Sequence, residues 1–143
     1  MKYSQGIFTP KNSEKYVGKS TPKYRSSWEL AFMNFCDTNP NILAWASEAI
    51  QIPYFNPLKN TNTKYIPDFF IKYRNATGEE VAELIEIKPI KETTLEAAGK
   101  SVRNQAFAII NQAKWRAAEM WCKDRNITFR VITEHDIFAG TKR

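Results

Sequence analysis

The sequence predicts an α/β protein whose mixed β-sheet combines an antiparallel meander with one strand reached by a helical crossover, flanked by helices. Three observations carry this reading. An amphipathic helix pattern opens after Ser26, three strand-like stretches follow it, and a long helical pattern separates the third strand from a final one. Short turns join antiparallel neighbours, whereas a helical crossover returns a strand parallel, so the sheet is mixed. A chain of 143 residues, 43% hydrophobic and 25% charged, suits one globular domain with its own core.

Residues 1–25 read as a basic extended arm, punctuated by Gly6, Pro10, Gly18 and Pro22, ahead of a single domain over 26–143. The arm carries Lys2, Lys11, Lys15, Lys19, Lys23 and Arg25 against Glu14, and the rest of the chain is nearly neutral although the total is +6. Ser26-Ser27-Trp28-Glu29 then supplies a helix cap and an early carboxylate, and Asn39-Pro40-Asn41 ends that helix. Residues 42–55 read as a strand, 57–64 as a polar turn, and 65–73 and 81–87 as two strands joined by Asn75-Ala76-Thr77-Gly78. From 92 to 123 the pattern is helical, with Val102, Ala106, Ile109, Ala113, Ala117 and Met120 on one face and Gly99 either starting or breaking it. A short strand over 127–133 closes the core.

Several function classes drop out early. No stretch approaches 18 consecutive apolar residues, which excludes a transmembrane helix, and the first ten residues lack the apolar region of a secretory leader. Cys36 and Cys122 have no metal-type spacing and read as reduced residues of a cytoplasmic protein. His135 is the sole histidine, so no histidine triad or zinc site can be assembled around it. The glycines form no phosphate-cradling pattern, which argues against a nucleotide cofactor. Ser26 and Ser27 read as caps, and Trp28, Trp45, Trp115 and Trp121 as core residues.

Two segments carry chemistry. In Ile66-Pro67-Asp68-Phe69-Phe70-Ile71 one acid interrupts an apolar run, and in Glu83-Leu84-Ile85-Glu86-Ile87-Lys88-Pro89 period 2 sets Glu86 and Lys88 on one side. Paired in a hairpin, Asp68 faces Glu86, with Lys88 one step further along. Two carboxylates can hold Mg²⁺, which prefers oxygen ligands, and a lysine beside the ion can orient or deprotonate an attacking water. Alternating Glu and Lys also suits a solvated strand face; Asp68, a lone acid in an apolar run, tips the reading toward a metal site. Residues 100–130 hold seven basic side chains against Glu119 and Asp124, while 79–96 holds six glutamates against Lys88 and Lys91. Acid in the site and base around it suit a nuclease, with Lys19, Lys23, Arg25, Arg103 and Lys114 as candidate DNA contacts. Gln105, Gln112 and Lys114 could project toward the site from the long helix.

Pro67-Asp68 followed by Glu86-Ile87-Lys88 resembles the PD-(D/E)xK motif of restriction-endonuclease-like nucleases, and the element order fits that core. More specifically, Tyr24-Arg25-Ser26-Ser27-Trp28-Glu29, Trp45-Ala46-Ser47-Glu48, Tyr65-Ile66-Pro67-Asp68-Phe69 and Glu86-Ile87-Lys88-Pro89 resemble head-completion nucleases of T-even-type tailed phages, which are related to a transposase nuclease domain. Ala113-Lys114-Trp115-Arg116-Ala117-Ala118 and Phe129-Arg130-Val131-Ile132-Thr133-Glu134 fit the same group, so the resemblance spans residues 22–138. It implies a Mg²⁺-dependent DNA endonuclease, with Mn²⁺ as a substitute, in which Asp68 and Glu86 bind the metal, Lys88 is the catalytic lysine and Glu29 is an additional metal-coordinating or metal-orienting carboxylate. Glu29 is read equally as a helix N-terminal dipole partner. Glu48 is either an acid supporting the site or the partner of a basic residue, the pairing being favoured.

The resemblance further implies processing of packaged phage DNA ends during head completion. DNA is the expected substrate, portal, neck or capsid proteins the expected partners, and the infected host's cytoplasm or the virion head–neck region the expected location. No membrane association is expected. A structural head–neck protein with a vestigial site and a junction or recombination nuclease are the rival readings. No recognition helix or inserted base-reading loop is evident, so slight sequence preference is expected.

Overall fold

The computed structural model describes residues 5–140, and Lys2 of the basic arm lies outside the described residues. In chain order its elements are β1 (Gly6–Ile7), β2 (Lys23–Tyr24), α1 (Ser27–Thr38), β3 (Ile42–Ser47), β4 (Ile52–Asn56), β5 (Thr61–Tyr65), β6 (Phe69–Arg74), β7 (Glu80–Ile87), α2 (Leu95–Ala98), α3 (Val102–Lys123), β8 (Thr128–Ile132) and α4 (Glu134–Gly140). Short 3-10 turns occupy 13–15 and 90–92.

Four strands form the main sheet in the order β3-β6-β7-β8. β3 and β7 flank β6 antiparallel, and β8 joins β7 in parallel after the α3 crossover, giving the mixed sheet that the element order predicts. Local chemistry sets the boundaries. Ser26 Oγ accepts the Glu29 N–H at 3.2 Å and caps α1. Asn75 Oδ1 accepts from Thr77 and Glu79 N–H at 3.1 and 3.0 Å, and Gly78 adopts φ +85°, closing the β6–β7 turn.

Because β7 is central, it is buried on both faces. Ile85 and Ile87 join Met33, Cys36, Trp45 and Phe69 in the core beneath α1. Leu84 joins Trp115, Ala118 and Cys122 of α3 in the opposite core, together with Ile52, Tyr54 and Tyr65. All four tryptophans belong to these cores or pack against them.

The structure corrects several boundaries. The strand expected over 42–55 is two strands, broken where Glu48 takes the left-handed value φ 50°. The polar turn expected over 57–64 holds β5, which pairs with β4 from Ile52↔Tyr65 to Asn56↔Thr61 as a separate two-stranded ribbon. The helical stretch over 92–123 breaks at Gly99, one of the two roles read for it, where a φ of +61° terminates α2. Along α3 the buried stripe is Ala108, Asn111, Trp115, Ala118 and Cys122, whereas Val102 and Met120 are exposed. Asn111 is tolerated inside because its amide donates to the Glu92 carbonyl at 2.9 Å.

Residues 5–25, read as an extended arm, lie against this framework. Phe8 is buried and meets the Trp45 ring edge-on, and Tyr16 does the same from 4.7 Å. Buried Asp37 accepts the Lys11 and Asn12 N–H groups at 2.9 and 3.0 Å, tying the segment to the end of α1.

Candidate active site

The β6–β7 register, Phe69↔Ile85 and Phe70↔Leu84, carries on outward to set Asp68 across from Glu86. Asp68 Oδ2 extends the ladder itself by accepting the Ile87 N–H at 2.7 Å. The chain leading into it is held by fully buried Pro67 and by the Glu48 N–H, which donates to the Asp68 carbonyl at 3.0 Å. Period 2 along β7 turns Glu86 and Lys88 to the same face as Leu84, toward α3. There Lys88 Nζ lies 3.8 Å from Glu86 Oε2.

Burial dominates the electrostatics. Glu86 is 3% exposed, and its Oε1 has no hydrogen-bond partner. Desolvation raises the Glu86 carboxyl, opposed by Lys88, the Tyr65 hydroxyl and Lys114. Asp68 is raised well above the ordinary carboxylate value by burial and then by the charge of Glu86. Glu29, on the first turn of α1, is raised chiefly by burial and lowered by Arg25, whose backbone N–H donates to Glu29 Oε1 at 3.2 Å.

Lys114 of α3 is half-buried below Tyr54 and Tyr65, with Nζ 5.9 and 5.5 Å from the two ring centres. Desolvation and Lys88 lower its ammonium pKa, and Glu86 and Asp68 raise it. Tyr65 sits beside Glu86, and burial followed by that charge pushes its phenol far above the usual value. No apolar or charge pattern in the sequence marks Tyr65 as a neighbour of the acids; its only signal is its place three residues before Asp68.

Of the sequence-derived candidates, Asp68, Glu86 and Lys88 converge, with Glu29 and Lys114 close enough to influence their charge. Glu48 pairs with Arg25, Oε1 to guanidinium at 2.5 Å, which is the pairing favoured from sequence. Arg103 lies over the Phe107 ring at 5.3 Å, and no described contact joins it, Lys19 or Lys23 to the acids. Gln105 and Gln112 are engaged elsewhere, donating to the carbonyls of Gly99 and Thr93 at 2.7 and 2.5 Å.

A mixed sheet flanked by helices, with an acid pair and a lysine at the end of its central strands, is the arrangement of the restriction-endonuclease-like nuclease fold. Residues 39–134 match the TnsA-like endonuclease N-terminal family, and the chain belongs to that family. It is also 39% identical, over 151 residues, to the head completion nuclease of Enterobacteria phage T4, an alignment covering 97% of this chain and 96% of that protein. The family match includes Asp68, Glu86, Lys88 and Lys114; Glu29 precedes it.

Nucleases of this fold typically require a divalent cation. The residues fit one: Glu86 Oε1 is a buried acceptor without a partner, Asp68 lies opposite, and the donors are all oxygen. Among the described residues no three acidic, histidine or cysteine side chains are gathered to hold an ion. One or two carboxylates commonly suffice for Mg²⁺, whose remaining ligands are waters and substrate phosphates.

Proposed function

We propose that this chain is a Mg²⁺-dependent DNA endonuclease, with Mn²⁺ as a substitute, that processes packaged phage DNA ends during head completion. The observation that carries the reading is the buried Glu86 carboxylate, opposite Asp68 and 3.8 Å from Lys88 Nζ. Asp68 and Glu86 would hold the ion. When bound, it supplies charge neutralisation at the scissile phosphate and lowers the pKa of the attacking water.

Lys88 is placed to orient that water, exchange its proton and offset negative charge on the phosphate. Glu29, on the first turn of α1 and within the field of Lys88 and Asp68, would be the additional metal-coordinating or metal-orienting carboxylate. Lys114, held against two tyrosine rings and within the field of Glu86 and Asp68, would contact the DNA backbone beside the pair. Lys19, Lys23, Arg25 and Arg103 extend the basic surface along the DNA backbone. Residues 26–143 form the nuclease domain in this reading, with the basic segment 1–25 adding phosphate contacts.

The head-completion role follows from the T4 relative's name and its near full-length match. In this reading the protein works in the cytoplasm of an infected bacterium or at the head–neck region, with portal, neck or capsid proteins as partners. Covalently closed circular DNA and linear duplex, each incubated with the protein and Mg²⁺, test the endonuclease assignment. Opening of the circle is expected; shortening of the linear duplex from its ends with circles untouched would contradict it.

A further inference from the structure

We propose that the β4–β5 ribbon is a DNA-gripping arm that docks on duplex flanking the scissile phosphate. The proposal deepens the nuclease reading and takes its substrate from it. The ribbon lies outside the four-stranded sheet, yet both its stems end in the site: it leaves just after Glu48 and returns at Asp68, where the Glu48 N–H meets the Asp68 carbonyl. Its inner row is anchored. Ile52, Tyr54 and Tyr65 are buried with Trp115 and Ala118 of α3, and Asn56 Oδ1 accepts the Leu58 and Lys59 N–H groups at 3.0 and 3.1 Å to brace the tip. The ribbon is thus held in place relative to the acid pair.

Its outer surface is built differently. Residues 57–64 are exposed throughout, and no acid occurs between Glu48 and Asp68. Lys59 and Lys64 have no ion-pair partner among the described residues, although six glutamates lie close together over 79–96. Asn62 stands across from Phe55, which is 48% exposed, and Leu58 at the tip is 50% exposed. A two-stranded ribbon has the width of the DNA major groove, lysines and small polar side chains are its usual phosphate contacts, and the exposed apolar pair suits sugars and base edges. Charge complementarity and continuity with the catalytic end of the sheet both select DNA as the occupant.

The test uses the full chain and a labelled 20-bp duplex in EDTA, titrated over a range of NaCl concentrations. Lys59→Ala/Lys64→Ala is expected to weaken binding roughly 10- to 50-fold near 0.1 M salt and to reduce the log–log salt slope by about two. Its melting temperature is expected to match the intact protein, since both side chains are exposed. Lys72→Ala, which removes an exposed lysine already paired with Glu80 at 3.1 Å, is expected to leave binding unchanged. Affinity and slope equal to the intact protein's, or an equal loss from Lys72→Ala, would overturn the proposal. Unchanged DNA binding by Phe55→Ser/Leu58→Ser as well would assign the outer face to a protein partner instead. Plasmid cutting separates the two readings. Lysine-dependent binding without any cutting by the intact chain supports the ribbon and overturns the nuclease; full cutting with ribbon variants that bind normally does the reverse.

Discussion

Replacing Asp68 by asparagine removes one charge from the acid pair while keeping an oxygen able to accept the Ile87 N–H, bonded at 2.7 Å in the native protein. Directly opposed cross-strand residues have Cβ atoms about 5 Å apart, where two like charges at an effective dielectric of 20 repel by about 3 kcal/mol. Lys88 and Lys114 offset part of this repulsion. A net gain of roughly 1–2 kcal/mol is therefore expected for Asp68→Asn without divalent ions, or about 3–8 °C in melting temperature for a domain of this size. The sign with pH follows from the raised Asp68 carboxyl. Below the unfolded carboxylate value of about 3.9 both states are protonated at this position. From there up to the raised folded value the unfolded chain gives up its proton first, so the native protein, unlike the variant, loses stability as pH rises, and the loss is complete above the folded value. The stability gap should thus be closed near pH 4 and widen toward pH 8. Mg²⁺ reverses the ranking, because a hundredfold excess over its dissociation constant adds about 2.7 kcal/mol to the protein that binds it. Thermal unfolding in EDTA and in Mg²⁺, repeated from pH 4 to 8, provides the assay. A variant that melts no higher than the intact protein in EDTA, and gains as much from Mg²⁺, would refute the reasoning.

Two further outcomes are expected. Lys88→Gln should slow cutting by about 10²- to 10⁴-fold under single-turnover conditions and lower the melting temperature in EDTA, since the buried Glu86 carboxylate loses the cation 3.8 Å away. Ser26→Ala should cost about 1 kcal/mol in urea unfolding through loss of the 3.2 Å cap to the Glu29 N–H, and should loosen the helix turn that carries Glu29.

The catalytic end of the fold is legible in the sequence because it is built by local rules. Period 2 along β7, a turn with Asn75 and Gly78, and the hairpin spacing from Asp68 to Glu86 are enough to set the acids face to face. The ribbon is not legible. In Thr61-Asn62-Thr63-Lys64 every side chain is exposed, so no apolar alternation announces a strand, and its pairing with β4 is what makes it one. The break at Glu48 is hidden because a non-glycine residue holds the left-handed conformation there. The apolar pattern of α3 is only partly right, with Ala113 and Ala117 packed against the core but Val102 and Met120 exposed, because Asn111 occupies a core position, its amide satisfied by a distant carbonyl. Tyr65 and the inward placement of Lys114 depend on how α3 crosses the ribbon, and only tertiary packing sets that.

Nicking of supercoiled plasmid tests the central claim most directly, with intact protein, Asp68→Ala and Lys88→Ala compared in Mg²⁺, Mn²⁺ and EDTA. The account predicts nicking by the intact chain with either metal, none in EDTA, and loss of nicking in both variants. Nicking that persists in EDTA or survives both substitutions would contradict it.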